Sequence, residues 1–287
     1  MQLPTYHCHC HYCDGEGSPE DFVRKAVNKG AFAHGFSSHG PVGFPNQWSM
    51  KPDMVDEYCT DIRVLKSSYS SVIEIYTGLE SDYIPGKSSP SEQKEKYGLD
   101  YVIGSVHYVK QFNSGVPWQI DGSPEDFERG YTEIFNRRPQ ALINEYYSLI
   151  RSMVENACPD VIGHIDKIKM HNGPFRLFRE DDSWYLDELR QTLEVIRDAG
   201  VIIEVNTRSI YKKARKEPYP GYDILRMVKE MNIPIMVNSD AHHPSETYKG
   251  YSQVLKKLDE IGFGELKVFR SGEWTDIKIG SLLENKD

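Results

Sequence analysis

Short apolar runs alternate along this chain with longer stretches of helical periodicity. The apolar runs predict strands at residues 2–9, 33–37, 72–80, 101–107, 161–164, 201–206 and 235–238. The periodic stretches predict helices over 19–29, 53–69, 124–157, 184–199, 223–231 and 245–261. In the second of these, Met54, Tyr58, Ile62 and Leu65 fall on one helical face. Ser18-Pro19-Glu20-Asp21 reads as a helix start: a capping hydroxyl, a proline suited to the first turn, and acids at the positive end of the dipole. Repeated strand–helix alternation implies a parallel sheet, and both a closed barrel and an open doubly wound sheet satisfy it. The loop-forming stretches at 40–52, 85–91, 113–124 and 217–221 each lie between periodic segments. With no repeat or linker, residues 1–287 read as a single domain.

Composition narrows the class. The 34 Lys and Arg against 43 Asp and Glu leave a net charge of −9. That balance argues against a long nucleic-acid partner, which calls for an excess of cationic side chains. Hydrophobic residues make up 39% of the chain, enough for a large core. No apolar run has the length of a membrane span, and no export signal is visible at the N-terminus. Five cysteines then read as free thiols in a reducing compartment, and the chain as cytoplasmic.

The histidines change the picture most. Six of the ten lie at or just beyond predicted strand ends: His7, His9, His39, His107, His164 and His242. Glu80 closes the third predicted strand and Asp240 follows the seventh. In a parallel barrel these ends share one face, where active sites sit. His7 and His9 stand at i and i+2, so on a strand both imidazoles point to one side and can chelate one metal. An isolated pair of this kind is as readily a polar surface strand, but the other positions favour the metal. A carboxylate such as Glu80 at the end of a buried strand needs a cation partner, and its two oxygens can bridge two ions. Cys8 and Cys10 point away from the two histidines on an extended strand, and together with Cys13 they read as unligated. His34 reads as a polar residue within the second strand.

Taken in order, these segments resemble the motifs of the polymerase-and-histidinol-phosphatase (PHP) family. They are Tyr6-His7-Cys8-His9 with the following Asp14-Gly15, Phe36-Ser37-Ser38-His39, Gly78-Leu79-Glu80, Gly104-Ser105-Val106-His107, Gly163-His164-Ile165-Asp166 and Asn238-Ser239-Asp240-Ala241-His242. The single-domain histidinol-phosphate phosphatases of that family are the most similar, and Ile203-Glu204-Val205-Asn206-Thr207 resembles their sixth-strand segment. The resemblance implies an α/β fold, a distorted (β/α)7 barrel with its metal site at the C-terminal ends of the strands. It also implies three divalent metal ions, Zn, Mn or Fe. The first would take His7, His9, Glu80 and Asp240. The second would share Glu80 and add His107 and His164, and the third would take Asp14, His39 and His242. Many relatives place a histidine near the position of Asp14, and His11 is the competing ligand there.

The implied reaction is hydrolysis of a small-molecule phosphate monoester, L-histidinol phosphate, by a metal-bridging hydroxide, as a step of histidine biosynthesis. Asp240 or His242 would supply the proton to the leaving alkoxide. Arg208, just after the sixth predicted strand, and Lys167 and Lys169, after the fifth, are candidates to bind phosphate; Arg176, Lys212 and Arg215 are weaker ones. Phe44 and Trp48 in a lid after His39, and Trp118 after the fourth strand, are candidates to meet the rest of the substrate. The alternatives are a related phosphoesterase acting on nucleotides or phosphotyrosine, a non-catalytic metal-binding module, and metal-dependent C–N hydrolysis. A bridging Glu80 rather than a modified lysine disfavours the last.

Overall fold

The computed structural model describes residues 3–175 and 177–283; Gln2, at the start of the first predicted strand, and Arg176 lie outside them. In chain order the elements are α1 (Pro19–Asn28), β1 (Ala33–Phe36), α2 (Val55–Ser68), β2 (Glu74–Asp82), α3 (Pro90–Tyr97), β3 (Tyr101–Ser105), β4 (Tyr108–Gln111) and β5 (Pro117–Gln119). They continue with α4 (Pro124–Glu133), α5 (Pro139–Ala157), β6 (Val161–Ile162), α6 (Asn172–Phe175), α7 (Ser183–Ala199), β7 (Ile202–Asn206) and α8 (Arg208–Tyr211). The last are α9 (Tyr222–Glu230), β8 (Ile235–Asn238), α10 (Tyr251–Ile261), β9 (Glu265–Arg270), β10 (Glu273–Lys278) and α11 (Ile279–Leu283).

Six strands form one parallel sheet in the order β1-β2-β3-β6-β7-β8. The first predicted strand differs from expectation. Residues 3–9 lie between the sheet's two edges but make too few ladder bonds to count as a strand. Gly35 N and Ser37 N donate to Thr5 O and Cys8 O on one side, and His9 N donates to Ala241 O on the other. Side chains supply the rest. Tyr6 N donates to Asn238 Oδ1 at 2.8 Å, and the buried Tyr101 hydroxyl lies 2.5 Å from Tyr6 O and 2.8 Å from Phe36 O. The segment thus occupies the seventh position of a distorted (β/α) barrel, fully buried from Leu3 to Cys10.

The helices follow their local signals with two exceptions. Ser18 caps α1 through a reciprocal box with Asp21, and Phe22, Val23 and Ala26 form its buried face. The stretch predicted as one helix over 124–157 is two. Asn136 and Arg137 adopt positive φ, and Pro139, which has no N–H to donate, starts α5 instead of continuing α4. Residues 245–261 also divide, because Gly250 (φ 82°) turns the chain just before α10. The β9–β10 hairpin, beyond the last predicted element, packs beneath the barrel: the Tyr6 hydroxyl donates to Phe269 O at 2.6 Å and accepts from Phe269 N at 3.0 Å. Among the described residues no helix is long and apolar enough to cross a membrane.

Candidate metal centre

At the C-terminal ends of the parallel strands a cavity of about 280 Å³ opens, lined by Asp14, His39, Glu80, His107, His164, Asp240 and His242, with Trp48, Asp121, Lys167 and Arg208 around them. His7 and His9, fully buried, lie against two of these lining groups, Glu80 and Asp240. Nine side chains drawn from positions 7 to 242 therefore converge. His7 Nε2 lies 3.1 Å from Glu80 Oε2 and 3.8 Å from Asp240 Oδ1, and His9 Nε2 lies 3.2 Å from Asp240 Oδ1. His164 Nε2 is 2.9 Å from Glu80 Oε1 and 3.2 Å from His107 Nε2. Asp14 Oδ1 is 3.8 Å from His39 Nε2 and 3.5 Å from His242 Nε2. His11 is exposed, with its Nδ1 3.2 Å from Gly17 O, so Asp14 and not His11 faces this group.

Three sets of ligand atoms each fall within 4.8 Å: those of His9, Asp14, His39 and His242; of His7, His9 and Asp240; and of His39, Glu80 and His107. The donors fit divalent cations on a direct test. His7 Nε2, His9 Nε2 and His39 Nδ1 are buried and, despite these short approaches, have no hydrogen-bond partner. Buried polar atoms are seldom left so, and an imidazole nitrogen aimed at a carboxylate without hydrogen-bond geometry is arranged as a ligand beside a second ligand. The charge balance agrees. Asp14, Glu80, Asp82, Asp121, Glu204 and Asp240 gather here against the cations of Lys167 and Arg208. Burial works against charge on His7, but Glu204, Glu80 and Asp240 raise its pKa well above the ordinary value. Burial likewise opposes charge on Glu80, yet His7 and His39 hold it well below the usual carboxylate range.

The backbone is bent to present these groups. His164 (φ 21°) and Asp240 (φ 51°) both adopt positive φ, conformations that cost energy in non-glycine residues and cluster at functional sites. Gly163 has a separate reason: a Cβ there would sit 2.5 Å from Ser105 Oγ, the hydroxyl that donates to Glu80 Oε1 at 2.6 Å. The small residue makes room for a support of Glu80.

Several surrounding residues carry no prediction from sequence. Asp82 Oδ1 accepts from both the backbone N (2.9 Å) and Nδ1 (3.0 Å) of His107, which leaves Nε2 free to point inward. Glu204 Oε1 lies 2.5 Å from His7 Nδ1. Asp121 approaches His107 Nε2 at 3.9 Å and Lys167 Nζ at 3.5 Å. Asp82 stands at i+2 from Glu80 on one strand, and Glu204 interrupts an apolar strand; both signals were available. Asp121 sits in a loop without one.

Of the substrate candidates, Arg208 and Lys167 reach the cavity. Arg208 Nη1 donates to Asp240 O at 2.7 Å and lies 2.8 Å from His242 Nδ1. Lys169 does not reach it: it is 1% exposed and held by Asp166 (2.8 Å) and Glu180 (2.7 Å). Arg215 pairs with Glu180 and Glu217, and Lys212 with Glu246. Trp48 lines the cavity, its ring centroid 4.4 Å from that of His39, and its Nε1 donates to the Tyr108 hydroxyl. Phe44 packs on Tyr108 behind it. Trp118 is a core residue against Phe127 and Phe135; its chain neighbour Gln119 lines the cavity instead. Cys8 and Cys10 are buried free thiols turned to Gly35 O and Ser38 Oγ, and Cys13 Sγ lies 3.6 Å from His9 Nδ1.

Comparison with known proteins adds four findings. The family described as PHP domain matches residues 5–208. The chain is 29% identical over 268 residues to a protein of Deinococcus radiodurans named probable histidinol-phosphatase, covering 92% of this chain and 95% of that one. It is 25% identical to the histidinol-phosphatase of Bacillus subtilis over 90% of this chain and all of that one. A crystal structure of histidinol phosphate phosphatase from Lactococcus lactis, in complex with zinc, L-histidinol and phosphate, superposes with a TM-score of 0.70 at 21% identity, covering 96% of this chain and all of that one.

Proposed function

The chain belongs to the PHP domain family, and from that premise we propose that it hydrolyses L-histidinol phosphate to L-histidinol and phosphate, a step of histidine biosynthesis in the cytoplasm. The observation that carries this reading is the convergence of six imidazoles with Asp14, Glu80 and Asp240, in which buried ring nitrogens have no hydrogen-bond partner. The substrate comes from the names of the relatives that align along almost the whole chain. Residues 1–287 act as one domain in this reading, since the segment holding His7 is tied to both β8 and the terminal hairpin.

Three divalent ions, Zn, Mn or Fe, would be held by His7, His9, Glu80 and Asp240, by Glu80, His107 and His164, and by Asp14, His39 and His242. Such ions supply an activated water and neutralise phosphoryl oxygens. The chain does the rest. Glu80, with one oxygen toward His7 and the other toward His164, fixes the spacing of the first two groups. Arg208 and Lys167 bring positive charge to the phosphate dianion from the cavity wall. Asp240 or His242 delivers the proton that the leaving alkoxide needs.

Metal-reconstituted enzyme tests the proposal, with turnover of histidinol phosphate compared against nucleoside monophosphates and phosphotyrosine. Preference for histidinol phosphate, abolished in His7→Ala and Glu80→Gln, is expected. Preference for either rival ester moves the activity to that substrate class, and metal binding without hydrolysis of any ester leaves only a binding module.

A further inference from the structure

We infer that Glu204 is a positioning residue that orients ligands of two metal groups at once, through hydrogen bonds that only a carboxylate can accept. The inference rests on the metal reading above. Glu204 projects from β7 and is fully buried. Its Oε1 accepts from Asn238 Nδ2 at 3.0 Å and lies 2.5 Å from His7 Nδ1. Its Oε2 accepts from the backbone N of His164 at 3.0 Å and from Asn206 Nδ2 at 3.0 Å. The four donors come from four segments of the barrel: the 3–9 segment, the end of β6, β7 and β8.

The direction of these bonds is not a matter of choice. Asn238 Oδ1 accepts from Tyr6 N, so its amide hydrogens must point to Glu204. Asn206 Oδ1 accepts from Arg208 N, so its Nδ2 gives one hydrogen to Glu204 and the other to Asp240 Oδ2 at 3.1 Å. The His164 donor is backbone. Each carboxylate oxygen therefore faces at least one fixed donor, and a group with a donor at either end would meet an N–H head on. With both oxygens occupied as acceptors, the Nδ1 proton of His7 is fixed on Glu204, which aims Nε2, the nitrogen that would hold an ion, toward Glu80 and Asp240. The same carboxylate pins the positive-φ turn at His164 and, through Asn206, steadies Asp240.

Glu204→Gln is the discriminating variant, because an amide is the same size but must turn an NH2 toward one pair of donors. The chelator-stripped protein is titrated with zinc against a chromophoric competitor. Wild type is expected to bind tightly and Glu204→Gln about 10–100-fold more weakly, with circular dichroism unchanged. In zinc-loaded wild type, nitrogen-15 NMR should show the His7 Nδ1 proton far downfield and slow to exchange, the mark of a short bond to a buried carboxylate. Equal zinc affinities for wild type and variant overturn this inference alone. A wild type that takes up no zinc overturns it together with the metal reading. If the variant fails to fold, the wild-type spectrum decides: a His7 Nδ1 proton in fast exchange with solvent refutes the role.

Discussion

Acidification offers a quantitative test of the layer beneath the candidate site. His34 lies on β1, fully buried, 4.8 Å from the ring of Phe36 and with Nε2 3.5 Å from Cys8 Sγ, the residue between His7 and His9. Its Nδ1 has no partner, and burial alone lowers its pKa from 6.5 to about 3. Between those values the unfolded chain binds a proton that the folded chain refuses. Stability therefore rises with pH across that window and falls on acidification below the unfolded pKa. The ceiling, 3.5 pH units, is about 5 kcal/mol, and the loss between pH 7 and pH 5 is about 2 kcal/mol. In the variant His34→Leu the apolar surroundings remain and the titrating group is gone. Urea melts of the chelator-stripped protein at pH 7, 6 and 5 measure the effect. Wild type should lose about 2 kcal/mol more than the variant between pH 7 and pH 5. Parallel losses would refute the claim that a neutral, desolvated imidazole sits there.

Three further outcomes are expected. Lys169→Met strands the buried carboxylate of Asp166 and should cost about 3–5 kcal/mol in urea melts, with much of it recovered in Lys169→Met/Asp166→Asn. Gly163→Ala should displace Ser105 from Glu80, losing about 1.5–3 kcal/mol of stability as a hydrogen bond to a charged group is broken; an unchanged melt would show that the crowding is relieved some other way. Chelation should lower the melting temperature, read by calorimetry, and zinc restore it, with about 2.7 kcal/mol of added stability at a free metal concentration one hundred times the dissociation constant.

What sequence can reveal here follows from how each feature is encoded. Six barrel strands are visible because they are buried on both faces and so read as continuous apolar runs. Residues 3–9 are a less apolar run, with two histidines, and their pairing depends on Tyr6, Asn238 and Tyr101, contacts between positions far apart that no local pattern records. The turn that separates α4 from α5 was announced by Pro139 and hidden by the apolar periodicity on both sides. In the site, histidines and Glu80 stand out because such groups are rare at strand ends. Lys169 and Trp118 lie close in sequence to cavity residues, but their side chains turn into the protein, a direction that a loop of unknown geometry does not disclose. Asp121 is brought in by the β4–β5 hairpin, whose strands are too short to show a period.

The stitching of residues 3–9 between β1 and β8 has a consequence for how the chain matures on the ribosome. Residues 3–9 are made early, yet the segment gains its second neighbour only when Ala241 has emerged, and Tyr6 finds its lower anchor only with Phe269. Ring closure must await Ala241 and Phe269, more than 230 positions further along, a long-range event that slows assembly. Until then the imidazoles of residues 7 and 9 stand apart from Asp240, the carboxylate that closes the cavity over them.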